Sequence, residues 1–247
     1  MHAHSQSVHS PIPGGGFPPA LCGTTAPKDF AALLGEGTPN TLQALLDRAV
    51  NVAYDPHEVL YHQGSACDTV YFTTSGFLKL IIHQPNGRAR IVRLHRPGSI
   101  LCLNGLFSRR IEHTAVAITA VSARRLPVSA VQRLRNDNPA AYVGLLERWC
   151  GYLHDADTWI AQFSTGPIRG RVARLLSFLS TYEADEANGH VQLLTCEEMG
   201  SILGVRTESV SRVLAEFKRR HILADNGGGA NRIYAPDLDR LRRIAEE

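Results

Sequence analysis

The sequence predicts an α+β protein built from an N-terminal β-roll of the jelly-roll type, a long dimerisation helix and a C-terminal winged helix-turn-helix. Three observations predict this order of parts. Short strands separated by turn residues fill residues 29–137, an apolar heptad pattern follows over 138–164, and residues 165–247 contain two amphipathic helices that meet at a glycine.

The composition is that of an ordinary folded protein. Of the 247 residues, 44% are hydrophobic and 20% are charged, which is usual for globular domains. No apolar run approaches the roughly 20 residues that cross a bilayer. Residues 1–28 are rich in Pro, Gly, Ser and His and lack the apolar core of a signal peptide. We therefore expect a disordered tail and a cytoplasmic protein with no membrane partner.

The roll is predicted from short segments rich in β-branched and aromatic residues. These segments are 58–62, 69–74, 77–84, 88–95 and 115–121. Two of them flank Pro85-Asn86-Gly87, a hairpin signal because Asn and Gly tolerate positive φ. Gly64, Gly76 and Gly98 mark other turns. A jelly roll or barrel with this spacing often encloses a small-molecule pocket.

The region 138–164 changes to a helical period. Two apolar rows repeat every seven residues, the second row lying three residues after the first. The predicted seam is Leu146, Trp149, Leu153, Ala156, Ile160 and Phe163. Such an a/d pattern is typical of a helix that pairs with a second copy of itself. The alternative is a helix that packs on its own domain.

The helix-turn-helix is predicted from residues 194–220. Thr195 followed by Glu198 forms a capping box, which predicts that a helix starts at residue 196. Gly200 would let the second helix approach, Gly204 would supply the turn, and Val210 would pin the second helix to the first. Two short strands around a Gly-rich tip (residues 221–236) then predict a wing, and residues 237–247 predict a closing helix.

The second helix of such a motif enters the major groove by its N-terminal end. The predicted base-contacting residues are Thr207, Glu208, Ser211 and Arg212. Arg212 can bind a guanine through two hydrogen bonds, and Glu208 can accept one from a cytosine. The predicted contacts to the DNA backbone are Arg206, Lys218, Arg219 and Arg220. For the last three, the alternative is a basic helix end that favours the macrodipole.

The order of β-roll, long helix and winged helix-turn-helix resembles the Crp/Fnr superfamily of bacterial transcription regulators over about residues 30–247. The most specific residues are Gly64, Gly76 and Gly98 in the roll, Gly170-Arg171, and Glu208-x-x-Ser211-Arg212, which looks like the Fnr side of the family. The resemblance implies a non-enzymatic homodimer on double-stranded DNA, reading a palindrome of TTGAT-like half-sites, with RNA polymerase as a further partner.

Two sensory chemistries of that family are not expected here. The iron–sulfur cluster of Fnr needs thiolates, typically four, but one cysteine, Cys22, precedes the roll and residues 122–125 are Ser-Ala-Arg-Arg where the fourth would fall. Members that bind cyclic nucleotides have a glutamate where this chain has Leu103, and a phosphate-binding arginine where it has His113, followed by Thr114. Cyclic AMP is therefore not expected.

The predicted effector pocket comprises Cys102, Leu103, His113 and Thr114. Cys102 matches the place of a haem-ligating cysteine in the carbon-monoxide-sensing member of the family, whereas the nearby histidine of that member falls at Asn104 here. His113, His154 or a residue of the tail could substitute for it. Haem therefore remains one alternative for Cys102, beside a buried core cysteine and a redox-active thiol. The five cysteines are far apart, without a C-x-x-C pair, which argues against disulfides and structural zinc.

Two other kinds of protein remain open at this point. One is a constitutive DNA-binding protein whose roll is purely structural. The other is a cupin-like enzyme that uses His62, His83 or His95 to bind a metal, although no His-x-His pair is present in the roll.

Overall fold

The computed structural model describes Leu45 and residues 48–182, 191–192, 194–225 and 233–246. The predicted tail 1–28 and the Gly-rich wing tip 226–232 lie outside the described residues. The strands are β1 (Val50–Tyr54), β2 (Val59–Tyr61), β3 (Thr69–Ser75), β4 (Leu78–His83), β5 (Ala89–His95), β6 (Ile100–Leu101), β7 (Thr114–Ala117), β8 (Val121–Pro127), β9 (Val191–Gln192), β10 (Leu223–Asp225) and β11 (Ile233–Pro236). The α-helices are α1 (Val128–Asp137), α2 (Pro139–Ser164), α3 (Ile168–Tyr182), α4 (Cys196–Leu203), α5 (Thr207–Arg219) and α6 (Leu238–Ala245).

Two four-stranded antiparallel sheets form the roll. Their strand orders are β1-β8-β3-β6 and β2-β7-β4-β5. Buried apolar side chains from both sheets meet in one cluster between them, including Tyr71 of β3, Leu78 and Leu80 of β4, and Val121 of β8. The predicted jelly-roll architecture is confirmed.

The hairpin predicted at Pro85-Asn86-Gly87 is confirmed, since β4 and β5 pair antiparallel with His83 opposite Ala89 and Gly87 has a φ of +77°. The single strand predicted over 115–121 is in fact the end of β7 and the first residue of β8, with a turn between them. The chain turns at 118–120 and passes from β7 in one sheet to β8 in the other. The apolar pattern continues through this turn because Ile118 packs against the core of the C-terminal part.

Helix α2 connects the roll to the C-terminal part. It begins where the Asn138 side chain accepts a hydrogen bond from the backbone N–H of Ala141 at 3.1 Å, with Pro139 in its first turn. Its N-terminal half packs on the roll through Ala141 and Leu145. Its C-terminal end packs into the other hydrophobic core through Phe163. With 26 residues, the helix is about 39 Å long.

The C-terminal part consists of α3–α6 and a small sheet of order β10-β11-β9. Its core is formed by fully buried side chains such as Val172 of α3, Met199 of α4 and Phe217 of α5. The predicted wing strands and closing helix are present as β10, β11 and α6. Among the described residues, no helix is long and apolar enough to cross a membrane.

Candidate nucleic-acid interface and effector cavity

Helix α4 starts as predicted. The Thr195 hydroxyl accepts a hydrogen bond from the backbone N–H of Glu198 at 3.0 Å, and the Glu198 carboxylate accepts one from the backbone N–H of Thr195 at 2.8 Å. This reciprocal pair satisfies two N–H groups at the helix start and confirms the capping box.

The turn between α4 and α5 depends on two glycines. A Cβ atom on Gly200 would lie 2.9 Å from the carbonyl oxygen of Val205, closer than packed atoms allow. Gly204 has a φ of +66°, which favours glycine. Val210 of α5 is fully buried against the first helix. The predicted helix-turn-helix is therefore confirmed, although the backbone that approaches Gly200 belongs to the turn rather than to the second helix.

The N-terminal end of α5 presents an exposed polar face. Thr207, Glu208, Ser211 and Arg212 are all exposed. Residues 208, 211 and 212 share one side of the helix because neighbours three and four positions apart lie together. The opposite side is apolar and buried, through Val213, Leu214 and Phe217. The predicted base-contacting residues are thus available to a partner.

The four predicted backbone-contacting residues differ in their surroundings. Arg206 and Arg219 are exposed. Lys218 donates a hydrogen bond to the Tyr234 hydroxyl at 2.7 Å and lies 4.4 Å from the centroid of that ring. Arg220 pairs with Glu216 at 3.1 Å. Lys218 and Arg220 therefore also stabilise the chain's own fold.

A cavity of about 350 Å³ lies between the roll and α2, within the range of small-molecule sites. The residues that line it are Tyr61, Leu80, Arg93, His95, Ile100, Leu101, Cys102, Leu103, Asn104, Phe107, Ser108, Ile111, Glu112, His113, Trp149, Tyr152 and Leu153. Cys102, Leu103 and His113 were predicted here. Thr114 is not among the lining residues, because its buried hydroxyl accepts a hydrogen bond from the backbone N–H of Gln63 at 3.0 Å. That part of the pocket prediction is wrong.

Several polar residues that line the cavity were not predicted as pocket residues, among them Arg93 and His95. Arg93 donates a hydrogen bond to the carbonyl oxygen of Tyr152 at 3.0 Å, and His95 is 4% exposed with its ring edge-on to Tyr152. Both belong to β5, and their spacing of two residues places them on the inner face of the sheet. Simple alternation in residues 88–95 does not predict their direction, because the register with β4 shifts between Arg93 and Ile91.

Both histidines of the cavity have a pKa below the usual value. Burial, followed by the nearby Arg93 and His113, lowers the pKa of His95 to about 3. Burial and Arg93 also lower the pKa of His113. A neutral imidazole offers one hydrogen-bond donor and one acceptor. The cavity thus combines the Arg93 guanidinium and the Glu112 carboxylate with two imidazole rings.

Cys102 and Cys67 lie together although 35 residues separate them. The Cys67 thiol donates to the Cys102 carbonyl oxygen at 3.7 Å. A hydrogen bond shared with Cys67, together with burial, raises the pKa of Cys102 far above its usual value. A metal ion deprotonates the thiol that binds it, so the raised pKa of the free thiol does not decide whether Cys102 binds haem. Of the two histidines named as a second ligand, His113 lines the cavity together with Cys102. His154, a proposed second ligand, is exposed and does not line the cavity.

The enzyme alternative requires clustered metal ligands. His62 and His83 are exposed, whereas His95 is buried in the cavity. Within the described ranges, no three His, Cys, Asp or Glu side chains gather where they could hold a metal.

The seam predicted on α2 is partly wrong. Phe163 is fully buried in the C-terminal core, and the Trp149 ring packs 5.4 Å from that of Phe107. Ala156 is half-buried. The row that faces outward shares Leu146, Leu153 and Ile160 with the predicted seam. Its other positions, Cys150 and Asp157, each lie one residue after the predicted Trp149 and Ala156. It consists of Val143, Leu146, Cys150, Leu153 and Ile160, interrupted by the exposed Asp157.

This outward row, which we call the α2 row, keeps an a/d spacing. Its steps alternate between three and four residues from 143 to 160. The side chains of Val143, Leu153 and Ile160 are 51%, 52% and 58% exposed. Large apolar side chains that repeat along one helix face are typical of an interface.

Two family models match separate parts of the chain. A cyclic nucleotide-binding domain matches residues 51–138. A Crp-like helix-turn-helix domain matches residues 170–244. The first match contains most of the cavity lining, and the second contains α4 and α5.

Curated relatives match the chain over both parts. Transcriptional regulator LdrP of Thermus thermophilus is 27% identical over 190 residues, which is 76% of this chain and 93% of LdrP. Transcriptional activator protein Anr of Pseudomonas protegens is 26% identical over 173 residues, or 69% of this chain and 71% of Anr.

Solved structures share the fold. A CRP-family transcriptional regulator from Thermus thermophilus aligns with a TM-score of 0.69 and 26% identity over 79% of this chain and 97% of its own. FixK2 from Bradyrhizobium japonicum aligns with a TM-score of 0.70 and 23% identity, covering 79% of this chain and 96% of FixK2.

Proposed function

Because this chain belongs to the Crp/Fnr family of transcription regulators, we propose that it binds a TTGAT-like palindrome as a homodimer under the control of a small molecule in the roll cavity. The chain is a DNA-binding regulator and not an enzyme. RNA polymerase is the further partner that we propose on the same basis.

The observation that carries the proposal is the exposed face at the start of α5. Arg212 has the planar donor pair that matches the two acceptors of guanine, and Glu208 accepts from the cytosine amino group. Thr207 and Ser211 lie beside them and reach a phosphate or a thymine methyl group. All four side chains are exposed, while the apolar face of the same helix is buried.

The α2 row supports the homodimer. Two copies paired along Leu146, Leu153 and Ile160 would remove these apolar side chains from water. A two-fold dimer of this kind places its two reading helices on half-sites about 34–36 Å apart. A palindromic operator follows from that symmetry.

The cavity supports control by a small ligand. Trp149, Tyr152 and Leu153 of α2 all line it, and Leu153 also belongs to the α2 row. A bound molecule would therefore contact a residue of the dimer interface. We propose a ligand other than cyclic AMP, because the cavity presents His113 where the cyclic-nucleotide-binding members have the arginine that pairs with the phosphate.

The test selects bound sequences from a random DNA library with the full-length protein and then compares two arginine variants. We expect a palindrome, and we expect Arg212→Ala to cost about 1–3 kcal/mol and to relax the preference at one base pair. Arg219→Ala is the matched control, since loss of a backbone contact weakens all sequences alike and reduces the salt slope by about 1. No selected sequence, or a preference unchanged in Arg212→Ala, would contradict the proposal.

A further inference from the structure

The sheet β2-β7-β4-β5 separates the cavity from the helix-turn-helix. On its inner face, Leu80, Arg93 and His95 line the cavity. On its outer face, Ile91 and Leu94 belong to the same hydrophobic core as the helices of the C-terminal part. The register between β4 and β5 shifts between Leu80, which lies opposite Arg93, and Ile81, which lies opposite Ile91. Because of this shift, Ile91 lies on the outer face although Arg93 lies on the inner one. One strand, β5, therefore contacts both the cavity and the DNA-binding part.

Helix α4 completes the edge of β5. The Ser201 hydroxyl accepts a hydrogen bond from the backbone N–H of Ile91 and donates one to the carbonyl oxygen of Ala89, each at 3.0 Å. Arg90 donates to the carbonyl oxygen of Ile202 at 3.1 Å. A serine side chain thus occupies the positions that a neighbouring strand would take.

An ion pair holds the start of α4 on β4. The Lys79 ammonium lies 2.6 Å from a carboxylate oxygen of Glu198, and their side chains are 12% and 17% exposed. The other oxygen of Glu198 caps the helix at Thr195. Although burial raises it, hydrogen bonds from Lys79 and Thr195 hold the pKa of Glu198 below its usual value. A shielded pair of this kind is stronger than a surface pair.

These contacts do not cover the exposed face at the start of α5, which consists of Thr207, Glu208, Ser211 and Arg212. They involve α4 and the turn that follows it, where Arg90 also approaches Gly204. The base-contacting candidates of α5 remain exposed while α4 is held against the roll. The arrangement is therefore compatible with DNA binding.

We propose that this contact orients the helix-turn-helix for DNA binding, and that β5 transmits the state of the cavity to the helix-turn-helix within one subunit. We call the contact the dock; it consists of Lys79, Ala89, Arg90, Ile91, Glu198, Ser201 and Ile202. The proposal rests on the proposed function, because it assumes that the chain binds DNA. A ligand that moves Arg93 or His95 shifts the same strand that carries Ile91, and close-packed interiors transmit such shifts. Control follows if the ligand binds the docked arrangement better than an undocked one.

A zero-length carbodiimide crosslink reads the dock directly in the full-length protein. It joins a lysine to a carboxylate only when they are in contact, so mass spectrometry should find the pair Lys79–Glu198. We expect selected operator DNA to maintain or raise the yield, and the crosslinked protein to keep its operator affinity. A yield that falls on addition of operator, or loss of binding by the crosslinked protein, would overturn the proposal.

Variants test the effect on affinity. We expect Lys79→Ala and Ser201→Ala each to weaken operator binding about tenfold, because each loses a shielded hydrogen bond, and Lys79→Arg to retain binding. Arg88→Ala, which removes an exposed cation from the same hairpin, is the matched control and should bind normally. Equal or tighter binding by the first two variants would contradict the role of the dock.

A test of transmission through β5 needs a substitution that affects the cavity and leaves the dock unchanged. Arg93→Gln alters the inner face and leaves every dock residue in place, so we expect it to change the Lys79–Glu198 crosslink yield. An unchanged yield would refute transmission through β5. If the wild-type protein selects no DNA sequence, the proposed function fails instead, and the crosslink still reports whether the dock forms.

Discussion

Phe163 and Ile160 lie on one helix three residues apart, and the structure assigns them opposite roles. Phe163 is fully buried, with its ring 4.8 Å from that of Trp159 and 5.7 Å from that of Phe178. Ile160 is 58% exposed on the α2 row. We therefore expect Phe163→Ala to unfold the C-terminal part and Ile160→Ala to weaken the dimer.

The magnitudes follow from burial. Truncation of a fully buried phenylalanine costs about 3–5 kcal/mol of unfolding free energy. Truncation of an exposed side chain changes the unfolding free energy by no more than about 0.5 kcal/mol. In a dimer, however, Ile160→Ala removes apolar groups that contribute about 0.8 kcal/mol for each buried methylene.

Urea unfolding followed by tryptophan fluorescence measures the first effect, since Trp159 lies beside Phe163. Sedimentation equilibrium measures the dimer dissociation constant. Both variants are compared at the same chain concentration, because a dimer gains stability with concentration. The reasoning is refuted if Ile160→Ala leaves the dimer dissociation constant unchanged, or if Phe163→Ala weakens the dimer without affecting folding.

Two further predictions concern charge. Because the pKa of His95 is lowered to about 3 from its ordinary 6.5, the unfolded chain binds an extra proton between these values, and stability falls as pH drops below 6.5. We expect His95→Gln to recover about 1.4 kcal/mol at pH 5.5 relative to the wild type, each normalised to pH 8; identical pH profiles in urea unfolding would exclude this. Asp157 interrupts the α2 row, so two copies would bring like charges together. Asp157→Leu should tighten the dimer in sedimentation, and an unchanged dissociation constant would place the interface elsewhere.

The helix-turn-helix could be predicted from the sequence because its determinants are local. Thr195 and Glu198 cap one helix end, and Gly200 and Gly204 shape one turn. These interactions lie within a few residues along the chain. The same holds for the hairpin at Gly87.

The phase of the α2 row could not be predicted in the same way. A heptad pattern that includes Trp149 and Phe163 fits the sequence as well as one that includes Cys150 and Asp157. Tertiary contacts determine which of the two rows faces outward. Phe107 of the roll covers Trp149, and Phe178 of the C-terminal part covers Phe163. A helix that packs on two domains buries apolar side chains on more than one face, so periodicity alone does not identify the outward row.

The cavity shows a similar limit. Cys67 and Cys102 meet through sheet pairing, and no local pattern joins them. Arg93 and His95 lie on the inner face of a strand whose alternation is broken by a register shift, and the sequence shows no sign of that shift. Their relation to Tyr152 of α2 requires the tertiary fold.

Helix α4 also protects β5 from self-association. As the last strand in its sheet, β5 would otherwise present unpaired N–H and C=O groups, which template pairing with other chains. Ser201 satisfies two of these groups, and the core around Ile91 and Leu94 covers the adjoining apolar surface. A roll truncated before residue 165 would therefore expose an aggregation-prone edge. Its aggregation would measure how far the C-terminal part keeps the roll soluble.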